Sequence, residues 1–406
     1  MAVGLAPEPK MVPVPGIRLA AVSAGIYRRT RPDLCVMELA PGGAAAALFT
    51  RNAFCAAPVT VARLHLARAA PRYCLINAGN ANAGTGLAGV AAARETCATL
   101  AALSGCATEE VLPFSTGVIG EHLPVQGIAA ALPAALAALR PDGWLDGARA
   151  IMTTDTVPKG CSVQVPLGGT TVTVTGMVKG AGMIHPDMAT MLCFIGTDAA
   201  VAPPLLDRIL RECAAVSFHR ITVDGDTSTN DACVLLASGR AGNAPLVAAD
   251  APAAAALRNA VAEVATTLAQ AVIRDGEGAT KFITVTVEAG RDEEECLRVC
   301  KAVATSPLVK TAFFASDPNW GRILAAVGRA GVSDLDIAGV HVHLDGTCIV
   351  AGGARAVGYT EEAGRRAMDA DEITVRIALG RGRARASVWT CDFSTDYVRI
   401  NAEYRS

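Results

Sequence analysis

The segment from Lys179 to Leu192, KGAGMIHPDMATML, constrains this chain more than any other. A basic, glycine-rich stretch runs into a threonine placed behind a small residue. From Met191 to Ile195 the sequence then becomes a short apolar run of the kind that forms a buried strand. Gly180, Gly182 and Pro186 supply a turn ahead of that strand. If the Ala189–Thr190 peptide bond opens, Thr190 carries a hydroxyl and a free α-amine on one residue. Such an amine titrates near ~8, so part of it is unprotonated at neutral pH. Threonine paired with its own N-terminal amine is a recognised way to activate a weak hydroxyl nucleophile. A nucleophile on a new chain end has to be held rigidly, which places the strand Met191–Ile195 deep in a core. Taken alone, a threonine in an apolar run is an ordinary strand residue.

The rest of the chain alternates helical and strand-like stretches. Leu87–Leu103, Val125–Leu139, Pro204–Ala214, Ala251–Ile273 and a segment from about Glu293 to Ala304 have helical period. Ser162–Thr175 reads as a hairpin turning at Gly168-Gly169. Phe282–Val287 alternates as a strand, and further strands are expected near Val340–Leu344, Glu372–Ala378 and Ala386–Cys391. Gly16–Arg63 reads as strands and turns, with alternation in Leu34–Leu39 and Pro58–Arg63. Asn77–Gly86, dense in Gly and Asn, predicts an irregular loop with positive-φ positions. No regular β-α-β repeat appears, which favours α+β layers over a doubly wound parallel sheet. No linker or charge run marks a domain boundary. The natural division, 1–189 and 190–406, separates two polypeptides at the processing point rather than two domains.

Composition narrows the partners. The formal net charge is −2 with no Lys/Arg-rich block, so nothing points to nucleic acid, and small-molecule ligands are expected. The 13 cysteines are scattered without a CxxC, which reads as reduced thiols used as small core residues. His341 and His343 share a strand face but have no acidic or Cys companion at ligand spacing, so no metal site is expected. Lys-Gly-Ala-Gly lacks the spacing of a phosphate loop. Asp224–Asp231 lacks the glutamate of a calcium loop and reads as a polar turn beside an active site. The N-terminus lacks the pattern of a secretory signal, and no apolar window is long enough for a membrane span, so a cytoplasmic protein is expected.

Eight stretches in order carry a family resemblance: Asn77–Gly86 (NAGNANAGTG), Ser115–Glu121 (STGVIGE), Met152–Lys159 (MTTDTVPK), Met177–Ala199, Asp224–Asp231 (DGDTSTND), Asp275–Lys281 (DGEGATK), Asp317–Ile323 (DPNWGRI) and Asn401–Ser406 (NAEYRS). Together they resemble the ornithine acetyltransferase family, the glutamate N-acetyltransferases of arginine biosynthesis. The resemblance implies helices outside, sheets inside, and self-cleavage between Ala189 and Thr190 into intertwined chains that pair as a heterotetramer. It implies acetyl transfer from N2-acetylornithine to glutamate through Thr190, with an oxyanion hole at Thr116 and Gly117. Its substrate pocket maps onto Thr153, Lys179, Thr190, Glu277, Asn401 and Ser406, with Thr154 one residue from Thr153 in register. The family pattern often ends in Thr where this chain has Ser406, which keeps the hydroxyl. No cofactor is implied, and the motifs leave open whether acetyl-CoA also serves as donor. Two other classes stay in view: an N-terminal-threonine amidohydrolase or aminopeptidase, and an amino-acid-binding protein that never cleaves. One difficulty is chemical. The pocket must take a cationic ornithine tip and an anionic glutamate tip, and Glu277 suits only the first.

Overall fold

A computed structural model describes residues 2–27, 31–185 and 191–403. Ala189, Thr190 and Ser406 therefore lie outside the described residues, as does Pro186. The first part of the chain runs β1 (Ile17–Val22), β2 (Leu34–Leu39), β3 (Ala44–Phe49), α1 (Ala57–Leu66), β4 (Tyr73–Asn80), α2 (Gly86–Ser104), β5 (Val111–Val118), α3 (Val125–Ala137), α4 (Trp144–Ala150), β6 (Lys159–Leu167) and β7 (Thr170–Lys179). It continues with β8 (Leu192–Thr197), α5 (Pro203–Val216), β9 (Ala232–Ala237) and α6 (Pro252–Arg274). The C-terminal part holds β10 (Phe282–Gly290), α7 (Glu293–Ala304), α8 (Pro307–Phe314), α9 (Trp320–Gly328), β11 (His341–Leu344), β12 (Thr347–Ala351), β13 (Ala354–Arg355), α10 (Glu361–Met368), β14 (Glu372–Ala378), β15 (Ala384–Cys391) and α11 (Thr395–Ala402).

Two sheets, ordered β1-β2-β4-β5 and β3-β9-β8-β7-β6, pack face to face. Strand alternation explains how. On β2, Cys35 and Met37 face the opposing sheet, while Leu34 and Val36 face the helices α2 and α3. Phe114 of β5 meets Phe194 of β8 edge-on across the sandwich, with ring centroids 5.1 Å apart. α5 and α6 cover the outer face of the second sheet, so the order is helix, sheet, sheet, helix. A third sheet, β13-β12-β11-β14-β10-β15, builds a separate core with α7, α8 and α9. The mixed α+β layering expected from the sequence is what the chain adopts.

β8 is fully buried and central in its sheet, antiparallel to β7 on one side and parallel to β9 on the other. That matches the expectation of a deeply held strand at Met191–Ile195. Residues before position 190 supply β3, β6 and β7 of this sheet, and residues after it supply β8 and β9.

Two local expectations are corrected. Pro58–Arg63 is not a strand but the body of α1. Pro58 sits in the first turn, and Val59, Val61, Ala62 and His65 bury one helical side. In so short a run, alternation cannot separate the two periods. Asn77–Gly86 is only partly irregular. Asn77–Asn80 still pairs with β5 in parallel, Ala78 opposite Thr116, and the loop begins at Ala81. The positive-φ positions do occur, at Gly79, Asn82, Gly84 and Gly86.

Candidate active site

The motifs converge on one cavity of about 280 Å3. Among the described residues its lining includes Thr116 and Gly117 from β5, Lys179 from β7, and Met191 and Leu192 at the start of β8. Thr153, Thr154, Glu277 and Asn401 complete the expected set. Thr116 and Asn401, 285 positions apart in sequence, thus line one cavity, in which Met191 is bonded directly to Thr190.

The oxyanion candidates stand at the tips of parallel strands. Gly117 has φ +133°, and a Cβ there would lie 2.3 Å from the carbonyl carbon of Gly79, so only glycine fits. The Ser115 hydroxyl donates to Asn77 Oδ1 (2.6 Å), and the Asn77 amide donates to the Asn80 carbonyl (2.8 Å). The Asn230 side-chain amide donates both to the Ala81 carbonyl (2.6 Å) and to the Ser115 carbonyl (2.9 Å). These bonds lock Asn77–Gly86 against Ser115–Glu121.

Lys179 is buried, and its Nζ donates to Thr116 Oγ1 at 3.2 Å. With that lone pair occupied, the single hydroxyl proton of Thr116 is left for another acceptor. Burial pulls the Lys179 ammonium below its usual range, with Asp155 the first of the charges opposing it. Behind it lies a buried ion cluster. Lys159 Nζ contacts Asp155 (2.6 Å) and Asp275 (2.5 Å), and Asp155 Oδ1 also accepts from the Gly180 amide (2.8 Å). Burial works against the Asp155 charge, but Lys159 and Lys179 together hold its carboxyl well below the ordinary range.

The turn at Met183 and Ile184 is pinned. Asp224 accepts from the amides of Met183 (2.6 Å) and Ile184 (2.9 Å), and the Ile184 carbonyl accepts from the Val223 amide (2.7 Å). Met183 itself takes φ +54°, a left-handed conformation uncommon for a non-glycine residue. Gly182 lies against the Glu277 carboxyl, where a Cβ would come within 2.3 Å of Cδ. Glu277 Oε2 accepts from the Asn401 amide (2.7 Å), and Thr154, rather than Thr153, also hydrogen-bonds this carboxyl. Thr153 donates its backbone amide to Asp155 Oδ2 (2.9 Å), so both threonines belong to the site with different tasks.

Sequence reasoning marked Asp224–Asp231 as an active-site turn but did not single out its members. Asn230 is the clamp described above. Asp231 is buried in the cavity wall with one carboxyl oxygen, Oδ2, unpaired, and burial raises its pKa well above normal. The role of Asn230 has no spacing signal, because Ala81 and Ser115 lie 149 and 115 residues away.

A family model described as the ArgJ family matches residues 18–406, a span containing every cavity residue named here. The chain belongs to the ArgJ family. It is 58% identical over 397 residues to the arginine biosynthesis bifunctional protein ArgJ of Methylococcus capsulatus, covering 98% of this chain and 97% of that one. It is 56% identical to the protein of the same name from Pseudomonas syringae pv. tomato, over the full length of both. Among solved structures, the ArgJ of Bacillus halodurans is 37% identical, covering 52% of this chain and 97% of that chain, with a TM-score of 0.49. Among the described residues of this ArgJ-family chain, no helix is long and apolar enough to cross a membrane.

Proposed function

We propose that this chain transfers the acetyl group of N2-acetylornithine to glutamate in arginine biosynthesis, through an ester on Thr190. The carrying observation is the single cavity in which Thr116, Gly117, Lys179, Glu277 and Asn401 meet Met191, the residue bonded to Thr190. Family membership over residues 18–406 supports the same reading.

The chemistry has two stages. First, Thr190 Oγ attacks the Ala189 carbonyl, the peptide becomes an ester, and water hydrolyses it into chains 1–189 and 190–406. Second, the freed α-amine takes the Thr190 hydroxyl proton while Oγ attacks the acetyl carbonyl. The tetrahedral oxyanion is stabilised by the Thr116 hydroxyl and the Gly117 amide. Collapse expels the ornithine nitrogen, which takes the proton back from the Thr190 ammonium. The glutamate amine then attacks the acetyl ester and restores the hydroxyl. No cofactor enters either half.

The cleaved chains stay joined by the β7–β8 pairing and assemble as two of each, in the cytoplasm. The word "bifunctional" in the relatives' names supports acetyl-CoA as a second donor.

The test is the intact mass of denatured protein beside Thr190→Ala, followed by an assay with N-acetylornithine and glutamate. Two fragments split before Thr190, an intact variant and N-acetylglutamate as product are expected. Acetate as the only product would move the chain to the amidohydrolases. An uncut wild type would remove the catalytic amine and leave a binding protein.

A further inference from the structure

Two substrates of opposite charge at the tip must use one end of this cavity, and the groups at that end are acidic. Glu277 is 6% exposed and held in place by Asn401, Thr154 and the close approach of Gly182. Asp224 of the adjoining loop acts on Glu277 electrostatically; its carboxylate is committed to backbone amides and lies 3.5 Å from the Tyr397 hydroxyl of α11. Asp231 adds a third buried carboxyl to the cavity wall.

The nearby cations already have partners. Lys179, close enough to act on the Glu277 charge, bonds Thr116, Lys159 is held by Asp155 and Asp275, and Lys310 donates to Thr390 Oγ1 (2.8 Å) and to the Cys391 carbonyl. Among the described residues, the Glu277 carboxyl is hydrogen-bonded by the neutral side chains of Asn401 and Thr154. An ionised Glu277 here would repel a second carboxylate, since two buried like charges in contact do not both stay ionised. Burial, reinforced by Asp224, raises the Glu277 pKa, with Thr154, Asn401 and Lys179 pulling the other way.

Resting on the acetyl-transfer reading, we propose that Glu277 reads the two substrates in two protonation states. As a carboxylate it accepts the δ-ammonium of N-acetylornithine. As a carboxylic acid it donates a hydrogen bond to the γ-carboxylate of glutamate. The proton comes from solvent when glutamate binds and returns to solvent when N-acetylglutamate leaves, so the complete reaction gains and loses none at this residue.

The experiment compares the two half-reactions of the cleaved enzyme. In Glu277→Gln, which keeps a neutral donor and loses the charge, kcat/KM for N-acetylornithine falls about ten- to a hundredfold. The value for glutamate stays close to wild type. In the wild type, the ratio of the glutamate value to the N-acetylornithine value falls as pH rises through the raised Glu277 pKa. Other titrations, of the Thr190 amine and of the substrate amines, persist in Glu277→Gln, so the difference between the wild-type and Gln ratio profiles isolates the part that belongs to Glu277. Calorimetry in two buffers of different ionisation enthalpy then counts protons: uptake with glutamate, none with ornithine, and none with either in Glu277→Gln. Equal losses for both substrates in Glu277→Gln, or glutamate binding without proton uptake, overturn the proposal. Calorimetry reads binding even if no acetyl group moves, so failure of the acetyl-transfer reading shows separately, as absent product in the wild type.

Discussion

The two ends of the cavity are built from different material. The end holding Thr116, Gly117 and Lys179 consists of strand tips inside the sandwich, anchored by the buried Lys159–Asp155–Asp275 cluster. The end holding Glu277 and Asn401 consists of a turn and the last helix, α11, which has no buried residue and leaves Val398 67% exposed. Asn401 of that helix donates its amide to the Glu277 carboxyl. Bond-making chemistry needs donors fixed to a fraction of an ångström, and a packed sheet supplies that. Substrate selection tolerates groups whose state changes, and an exposed helix such as α11 can shift with little disturbance to a core.

That contrast can be broken by substitution, and the largest effect belongs to the anchored end. Lys159→Met leaves Asp155 and Asp275 buried without their cation and costs about 3–5 kcal/mol of stability, measured by urea unfolding. The pH dependence has a definite sign. Asp155 has a folded pKa below its unfolded value, so its stabilisation is present above the unfolded value and is lost as pH falls through the folded one. Wild type therefore loses stability on acidification, and Lys159→Met flattens that slope. An unchanged unfolding midpoint would mean the cluster anchors nothing.

Next comes Thr116→Val, which keeps the shape and removes the hydroxyl. It lowers kcat about 10²- to 10³-fold with little change in KM, as expected for a donor used in the transition state. A rise in KM alone would move Thr116 from the chemistry to binding. At the peripheral end, Asn401→Ala removes one hydrogen bond to Glu277 and costs about 0.5–1.5 kcal/mol in kcat/KM for N-acetylornithine. The unfolding midpoint should hardly move. The smallest effect is Val398→Ser on the outer face of α11, within about 0.5 kcal/mol in stability. A large loss there would show that α11 is part of the core after all.

Much of the fold was legible because periodicity and turn chemistry are local. The β6–β7 hairpin at Gly168-Gly169, the long α6 and the buried β8 follow from their own residues. Pro58–Arg63 was misread because its few residues satisfy two periods, and only packing against β5 decides between them. The membership of the site was legible as motifs, but its wiring was not. That Lys179 orients the Thr116 hydroxyl depends on a contact across 63 residues. Asn230 is an unremarkable polar residue until Ser115 and Ala81 are placed beside it. The roles of Thr153 and Thr154 separate only once Asp155 and Glu277 are in position.

The connection between β7 and β8 joins neighbouring strands of one sheet, Lys179 pairing with Leu192 across it. If the Ala189–Thr190 bond opens as proposed, with Thr190 held beside the finished sheet, the break changes the order of the folding reaction. The intact chain brings those strands together at the effective concentration of a short loop, whereas the broken one must find its partner by diffusion. The mature protein would then refold in a concentration-dependent way or not at all, and its working lifetime would be set by how slowly it unfolds. The uncut chain is in that sense a disposable assembly template, needed once.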